Sequence, residues 1–205
     1  MERISAYHRA MAAIIHTGGA RYHNSYPSTT LYLHRMYGTP VLLSGLASLY
    51  LSPKELEAIS KQYKSMLCRL QKLPDNTPDS VIYFLAGQLP SSALIHLKQL
   101  SLLVMISRLG YSSILQDIGV KVLSSQNVVK KSWFIQINMV CCKYGLPEAL
   151  SILRCPPTRE SWKRLCRSKI VSWWELKLRN DACKLPSLMY FKPCYMSLTT
   201  THPIW

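Results

Sequence analysis

Apolar residues in this chain recur at intervals of three and four more often than at two, and turn signals cut the pattern into helical lengths. The pattern predicts an all-α protein: an irregular multi-helix bundle of about seven to nine helices with an irregular C-terminal tail. Ile4, Met11, Ile14 and Ile15 mark a first helix over Glu2 to His16, stopped by Gly18 and Gly19. A polar loop from Ala20 to Pro27 follows. A second helical stretch starts at a Ser28 cap and runs to about Leu51, with Pro40 kinking or breaking it near Gly38. From Pro40 to Leu51 there is no charge, which predicts burial on most sides.

Ser52, Pro53 and Glu55 form the clearest local signal, a cap followed by proline at the first helical position and a glutamate that can reach back. The helix they open buries Leu56, Ile59, Tyr63, Met66, Leu67 and Leu70, leaves Lys54, Lys61, Lys64 and Lys72 mainly wet, and ends at Leu73 and Pro74. Thr77 and Pro78 repeat the cap and proline for a short helix through Leu85, closed by Gly87 and Pro90. Ser91 or Ser92 opens the next, to Arg108 before Gly110. Helices are then expected over Ser112 to Leu123 and Asn127 to Tyr144, the second ended by Gly145. Pro156 and Pro157 form a rigid joint expected to divide two bundles, and Thr158 caps a long last helix with Trp162, Leu165, Cys166, Ile170, Trp173 and Leu176 on its apolar face. After Pro186 the pattern dissolves.

Charge changes the picture. Twenty-five Lys and Arg stand against 10 Asp and Glu, and no two acids are adjacent. Such a surface draws in a polyanion and releases its counterions. Metal-dependent phosphoryl transfer needs converging carboxylates, and Asp75, Asp79, Asp117 and Asp181 stand in surroundings that give no sign of such convergence. The chain is therefore expected to hold nucleic acid and not to cut or copy it. The cations are densest after Arg154: Arg159, Lys163, Arg164, Arg167, Lys169, Lys177, Arg179, Lys184 and Lys192, against Glu160, Glu175 and Asp181. Interleaved with Trp162, Trp173 and Trp174, this run reads equally as a phosphate grip with stacking indoles or as a solvated face over a tryptophan-rich core. A basic helix lying on an anionic membrane comes third.

Other chemistry finds little support. None of the six histidines sits in a nucleophile frame, and His34 and His96 lie in apolar helices, where a hydrogen-bonded core or boundary role is expected. No glycine-rich phosphate loop is present. Seven cysteines, an odd number without C-x2-C spacing, read as structural thiols and not as a metal site; with no secretory signal they suggest a reduced intracellular setting, nucleus or cytoplasm. The longest apolar runs fall short of the roughly 20 residues of a membrane span. Arg3, Arg9 and Arg21 around Ala10 to Ile15 have the look of a mitochondrial presequence, against which Glu2 counts.

The order of local signals carries more. Tyr37 to Leu46 (YGTPVLLSGL) is followed by the capped helix with Leu67, Arg69 and Leu73-Pro74, then by Ala86-Gly87-Gln88-Leu89-Pro90 and Leu97 to Leu103. Beyond these come Ser132-Trp133-Phe134, Lys143-Tyr144-Gly145-Leu146-Pro147, Pro156-Pro157 with Trp162-Lys163, and Thr201-His202-Pro203-Ile204-Trp205. Across almost the whole chain this series resembles the segment after the polymerase palm in non-LTR retrotransposon reverse transcriptases, namely the thumb and its helical connector. The polymerase carboxylates of that family, RNA-directed DNA polymerases, are absent. Ser44 and Ala47 stand where it usually has a tyrosine and an acid, and the usual Cys/His region does not follow Trp205. The resemblance thus implies a truncated or decayed copy, with a thumb-like region over residues 1–110, a connector over 111–185 and a tail over 186–205.

Together these readings predict a non-catalytic, template/primer-holding module that needs no cofactor or metal. Lys61, Lys64, Lys72, Arg159, Lys163, Arg164 and Arg167 should contact phosphates of RNA or an RNA/DNA hybrid without reading sequence. A palm domain from the full-length element is a further expected partner, and a membrane is not. Apolar surface left exposed on the first two helices would mark the missing palm. The rival expectation is a helical protein-interaction module or an inert remnant.

Overall fold

Pro40 has no amide hydrogen and its ring crowds the carbonyl four residues back. The chain answers with a wide turn. In the computed structural model, which describes residues 2–15, 27–109, 113–125, 131–188 and 197–199, His34–Gly38 is a π-helical segment in which the Thr39 amide donates to the His34 carbonyl. It joins α2 (Pro27–Leu33) to α3 (Thr39–Leu43), so the kink expected near Gly38 takes the form of a π turn. The other helices are α1 (Glu2–Ile14), α4 (Pro53–Leu70), α5 (Asp79–Ala86), α6 (Ser91–Ser107), α7 (Ile114–Ser124), α8 (Trp133–Tyr144), α9 (Ala149–Arg154) and α10 (Arg159–Cys183), with 3-10 turns at Leu46–Ser48 and Pro186–Leu188. Among the described residues there is no strand, and the protein is all-α as expected. The Gly18-Gly19 stop, the loop from Ala20 to Tyr26, Gly110, Asn127, Lys192, Cys194 and the closing Thr201 to Trp205 lie outside the described residues.

The chain forms two compact units. The first comprises Met1–Ser44, Pro53–Ser92 and Trp174–Trp205. Its core gathers Tyr7, Met11, Leu31, Leu42, Leu43, Tyr63, Leu67, Ile82 and Phe84, with α1 packed on α3 and the π segment, and α4 on α2 and α5. Gly38 permits that approach, because a side chain there would collide with the Met11 sulfur and press on the His34 ring. Gln88 ties the unit together: its Oε1 accepts from the Tyr63 hydroxyl at 3.0 Å and its Nε2 donates to the Leu31 carbonyl at 3.2 Å.

The second unit comprises Gly45–Ser52 and Ala93–Trp173, and so contains the Pro156-Pro157 joint. Here α7, α8 and α9 pack on one another around Ile137, Cys141, Ile152 and Leu153. The Gln136 side-chain amide donates to the Leu51 carbonyl at 2.6 Å and accepts from the Leu51 amide at 3.2 Å, fastening the irregular 45–52 segment to α8.

Among the described residues, three helices end on a residue in the left-handed conformation, two of them on glycine. Gly87 and Gly145 end α5 and α8 in the left-handed conformation with paired return hydrogen bonds. Lys72 does the same beyond α4, at φ 54, with the Leu73 amide donating to Cys68 and the Lys72 amide to Arg69. The expected stop at Leu73-Pro74 is therefore made one residue earlier, by a side chain that pays a steric cost in this region. Lys72→Gly should raise stability by about 1 kcal/mol, seen as a higher urea midpoint at unchanged slope; a lower midpoint would contradict the assignment.

Four expectations are corrected. Residues 40–51 are not buried on most sides: Leu42, Leu43, Leu46 and Leu51 are, but Val41, Ser44, Leu49 and Tyr50 are exposed, because missing charge lowers the cost of burial without supplying a neighbour. The Thr77 hydroxyl donates back to the Pro74 carbonyl, and α5 begins after Pro78 without a side-chain cap. Helix α8 starts at Trp133 and not at Asn127, since Ser132 before it is extended. On α10 the buried positions are Trp162, Cys166, Ile170, Trp174, Leu178 and Ala182, while Leu165 and Leu176 are exposed and Trp173 is half-buried. A strict four-residue interval drifts about 40° per step around a helix of 3.6 residues per turn, so no single 3.6-residue stripe describes it. The six-residue α9, too short to show periodicity, was not legible in the sequence.

Candidate nucleic-acid interface

Thr158 opens α10 as expected: its Oγ1 accepts from the Ser161 amide at 3.4 Å and its carbonyl accepts from Trp162 at 3.0 Å. With Trp162 and Cys166 turned into the second unit, Arg159, Lys163, Arg164 and Arg167 are left exposed. Arg159, Lys163 and Arg167 stand four residues apart and so form one row. They line a groove of about 910 Å³ together with Lys98 and Arg108 of α6. Arg164 is not among its lining residues. The groove floor includes Leu97, Leu102, Met105, Leu109, Trp133 and Phe134, and among the described residues no carboxylate lines it. Five cations facing one concavity without an acid reinforce one another's field. The Arg108 guanidinium donates to the Pro157 carbonyl, linking the end of α6 to the segment that leads into α10.

Lys98 and Arg108 were missed by sequence reasoning, which followed the dense charge run after Arg154. The available signal was faint: a single lysine in the otherwise uncharged α6 and an arginine at its end.

The indoles fall on the packing side of the two readings. Trp162 is 4 % exposed and its Nε1 donates to the Leu100 carbonyl at 3.0 Å; the Trp133 Nε1 donates to the Ala47 carbonyl at 2.7 Å. The Trp174 ring is buried, with the Lys177 ammonium 4.8 Å from its centre, and the Lys143 ammonium lies 4.4 Å from the Trp173 ring.

The three lysines expected on α4 belong to the first unit, and the α10 row to the second. Lys61 and Lys72 are exposed. Lys64 is half-buried and ion-paired with Asp79 at 2.9 Å, which leaves less of its charge for a phosphate. On the same unit Tyr32, Met36, Tyr37 and Val41 of α2, the π segment and α3 are exposed, an apolar patch on the second helical stretch. Helix α1 has no counterpart, since its Tyr7 and Met11 are fully buried.

Both core histidines behave as expected. His34 Nε2 and the Tyr7 hydroxyl share a 2.7 Å hydrogen bond, and His96 Nδ1 and the Tyr144 hydroxyl share one of 2.9 Å. Burial holds His34 at about 4, and burial with the nearby Lys143 charge holds His96 at about 4, so both are neutral at pH 7. Cys68, Cys141 and Cys166 are buried, and burial pushes Cys141 and Cys166 up to about 12, which makes them unreactive. Cys142, Cys155 and Cys183 are exposed, so the small apolar role expected of most thiols holds for half of those described. Among the described residues no three or more His, Cys, Asp or Glu side chains assemble in a way that could hold a metal ion, and no single helix is long and apolar enough to cross a membrane. Comparison with protein-family models, with curated proteins and with solved structures finds no match to this chain.

Proposed function

We propose that this chain is a non-catalytic nucleic-acid-binding module that holds RNA or an RNA/DNA hybrid through its phosphates, in the manner of the reverse-transcriptase thumb and connector that its sequence resembles. The observation that carries the reading is the α10 row. Arg159, Lys163 and Arg167 share one groove with Lys98 and Arg108, and among the described residues no acid interrupts them. Phosphate contacts of this kind position a strand and carry no sequence information. Affinity should therefore depend steeply on salt. With three to five phosphates neutralised, log K should fall by about 2 to 4 per tenfold rise in salt, as measured by fluorescence anisotropy with RNA and with RNA/DNA hybrid at two salt concentrations. Affinity indifferent to salt would reject the reading.

The exposed Tyr32, Met36, Tyr37 and Val41 favour an additional protein contact on the first unit. A neighbouring palm domain is the partner the resemblance suggests. If no polynucleotide binds, that patch makes the chain a helical interaction module, or a remnant of one.

A further inference from the structure

We infer that the groove between α6 and the first half of α10 is a binding site for a long-chain carboxylate, whose aliphatic tail lies on the floor while its head is held by the cationic rim. This goes beyond the polynucleotide reading, since it assigns the same cations a second class of ligand that excludes the first.

The floor decides the tail. Leu97, Leu102, Val104, Met105, Leu109 and Leu115 supply aliphatic surface, and Met105, Leu109 and Leu115 are each more than half exposed. Apart from the cations, the polar lining side chains among the described residues are Ser48, Ser101, the Cys166 thiol and the two indoles. Both indole N–H groups are already bonded to backbone carbonyls. A nucleobase laid here would bury its hydrogen-bonding edge against methyl and methylene groups, which costs free energy for each unpaired donor or acceptor. An alkyl chain has no such groups to satisfy, and it covers the exposed apolar side chains.

The rim decides the head. Lys98, Arg159, Lys163 and Arg167 are exposed and make no ion pair among the described residues, where the two ion pairs are Lys64 with Asp79 and Lys184 with Asp181. Arginine presents a planar fork to a carboxylate, and lysine adds a point charge. A volume of about 910 Å³, with a mostly apolar lining and cations contributed by both α6 and α10, has the form of a small-molecule site.

The test is to titrate the full chain with cis-parinarate below its critical micelle concentration, exciting tryptophan and reading energy transfer, because Trp133 and Trp162 line the groove. Saturable one-to-one binding is expected, displaced by palmitate and at least tenfold less well by hexadecanol. The double variant Lys163→Gln, Arg167→Gln should weaken palmitate about tenfold and leave hexadecanol unchanged. Met105→Asp, a change at an exposed floor position, should weaken both while circular dichroism stays that of the parent. The proposal is overturned by absence of saturable binding, by equal displacement with acid and alcohol, or by an unaffected Met105→Asp variant. Displacement of the probe by an oligonucleotide but not by palmitate would assign the groove to the polynucleotide alone. Palmitate binding without any affinity for oligonucleotide would support this site and reject the function proposed above.

Discussion

Lowering the pH from 7 to 4 should remove about 3 kcal/mol of folding stability for each of the two buried histidines. His34 is fully buried against Tyr7 and Tyr63, and His96 is 7 % exposed against Tyr144. Both lie near 4 in the fold, against an ordinary value of 6.5. The sign follows from proton counts. Above 6.5 neither state is protonated and stability is complete; below it the unfolded chain binds protons first, so stability falls with pH until the folded-state values near 4 are reached. Between those limits the slope is about 1.4 kcal/mol per pH unit for each histidine. Surface ion pairs contribute little to this loss, and the two among the described residues, Lys64–Asp79 and Lys184–Asp181, both retain substantial solvent exposure. Urea denaturation across this pH range measures the effect, and His34→Gln should remove about half of it while keeping a hydrogen-bonding group opposite Tyr7. His34 or His96 imidazole resonances titrating near 6.5 in the folded protein would refute the prediction.

Replacing Arg159, Lys163 and Arg167 together by glutamine should lower affinity for single-stranded RNA about a hundredfold at 0.1 M salt and reduce the salt slope by about 2. The estimate takes one phosphate per side chain, each contributing roughly 0.7 of a logarithmic unit per decade of salt for a single strand. Glutamine favours helix nearly as well as arginine or lysine, and the three side chains are exposed, so α10 should keep its helicity by circular dichroism. Arg164→Gln serves as the comparison: it has the same charge on the same helix but does not line the groove, and its effect should be smaller than that of Lys163→Gln. A triple variant that binds as tightly as the parent protein would remove the groove from the binding surface.

Apart from the Thr77 cap, most signals confined to a few consecutive residues were read correctly. Pro53 begins α4, Gly87 and Gly145 terminate α5 and α8 in the left-handed region, and Thr158 caps α10. Each depends on the backbone chemistry of its own turn, so no distant residue needed to be known. Lys72 shows the limit of that reasoning. A lysine carries no turn signal, and it adopts φ 54 because the return hydrogen bonds to Cys68 and Arg69 and the packing around Leu70 and Gln71 require it. The π segment before Pro40 is intermediate: proline announces a lost hydrogen bond, but not whether the helix breaks, bends or widens.

Composition and local pattern were sufficient for the helical class, for most helix ends and for the cationic face of α10, because these follow from intervals and charges within one element. Which of Leu165, Trp173, Trp174 and Leu176 is buried was decided in three dimensions, since an amphipathic interval names candidates and only the neighbouring helix selects among them. The groove is of the same kind. Arg108 and Pro157 are 49 residues apart in the chain, and no local rule brings the end of α6 to the start of α10. Packing places Lys98 and Arg108 beside the α10 row, and a surplus of positive charge thereby becomes a place where an anion can be held.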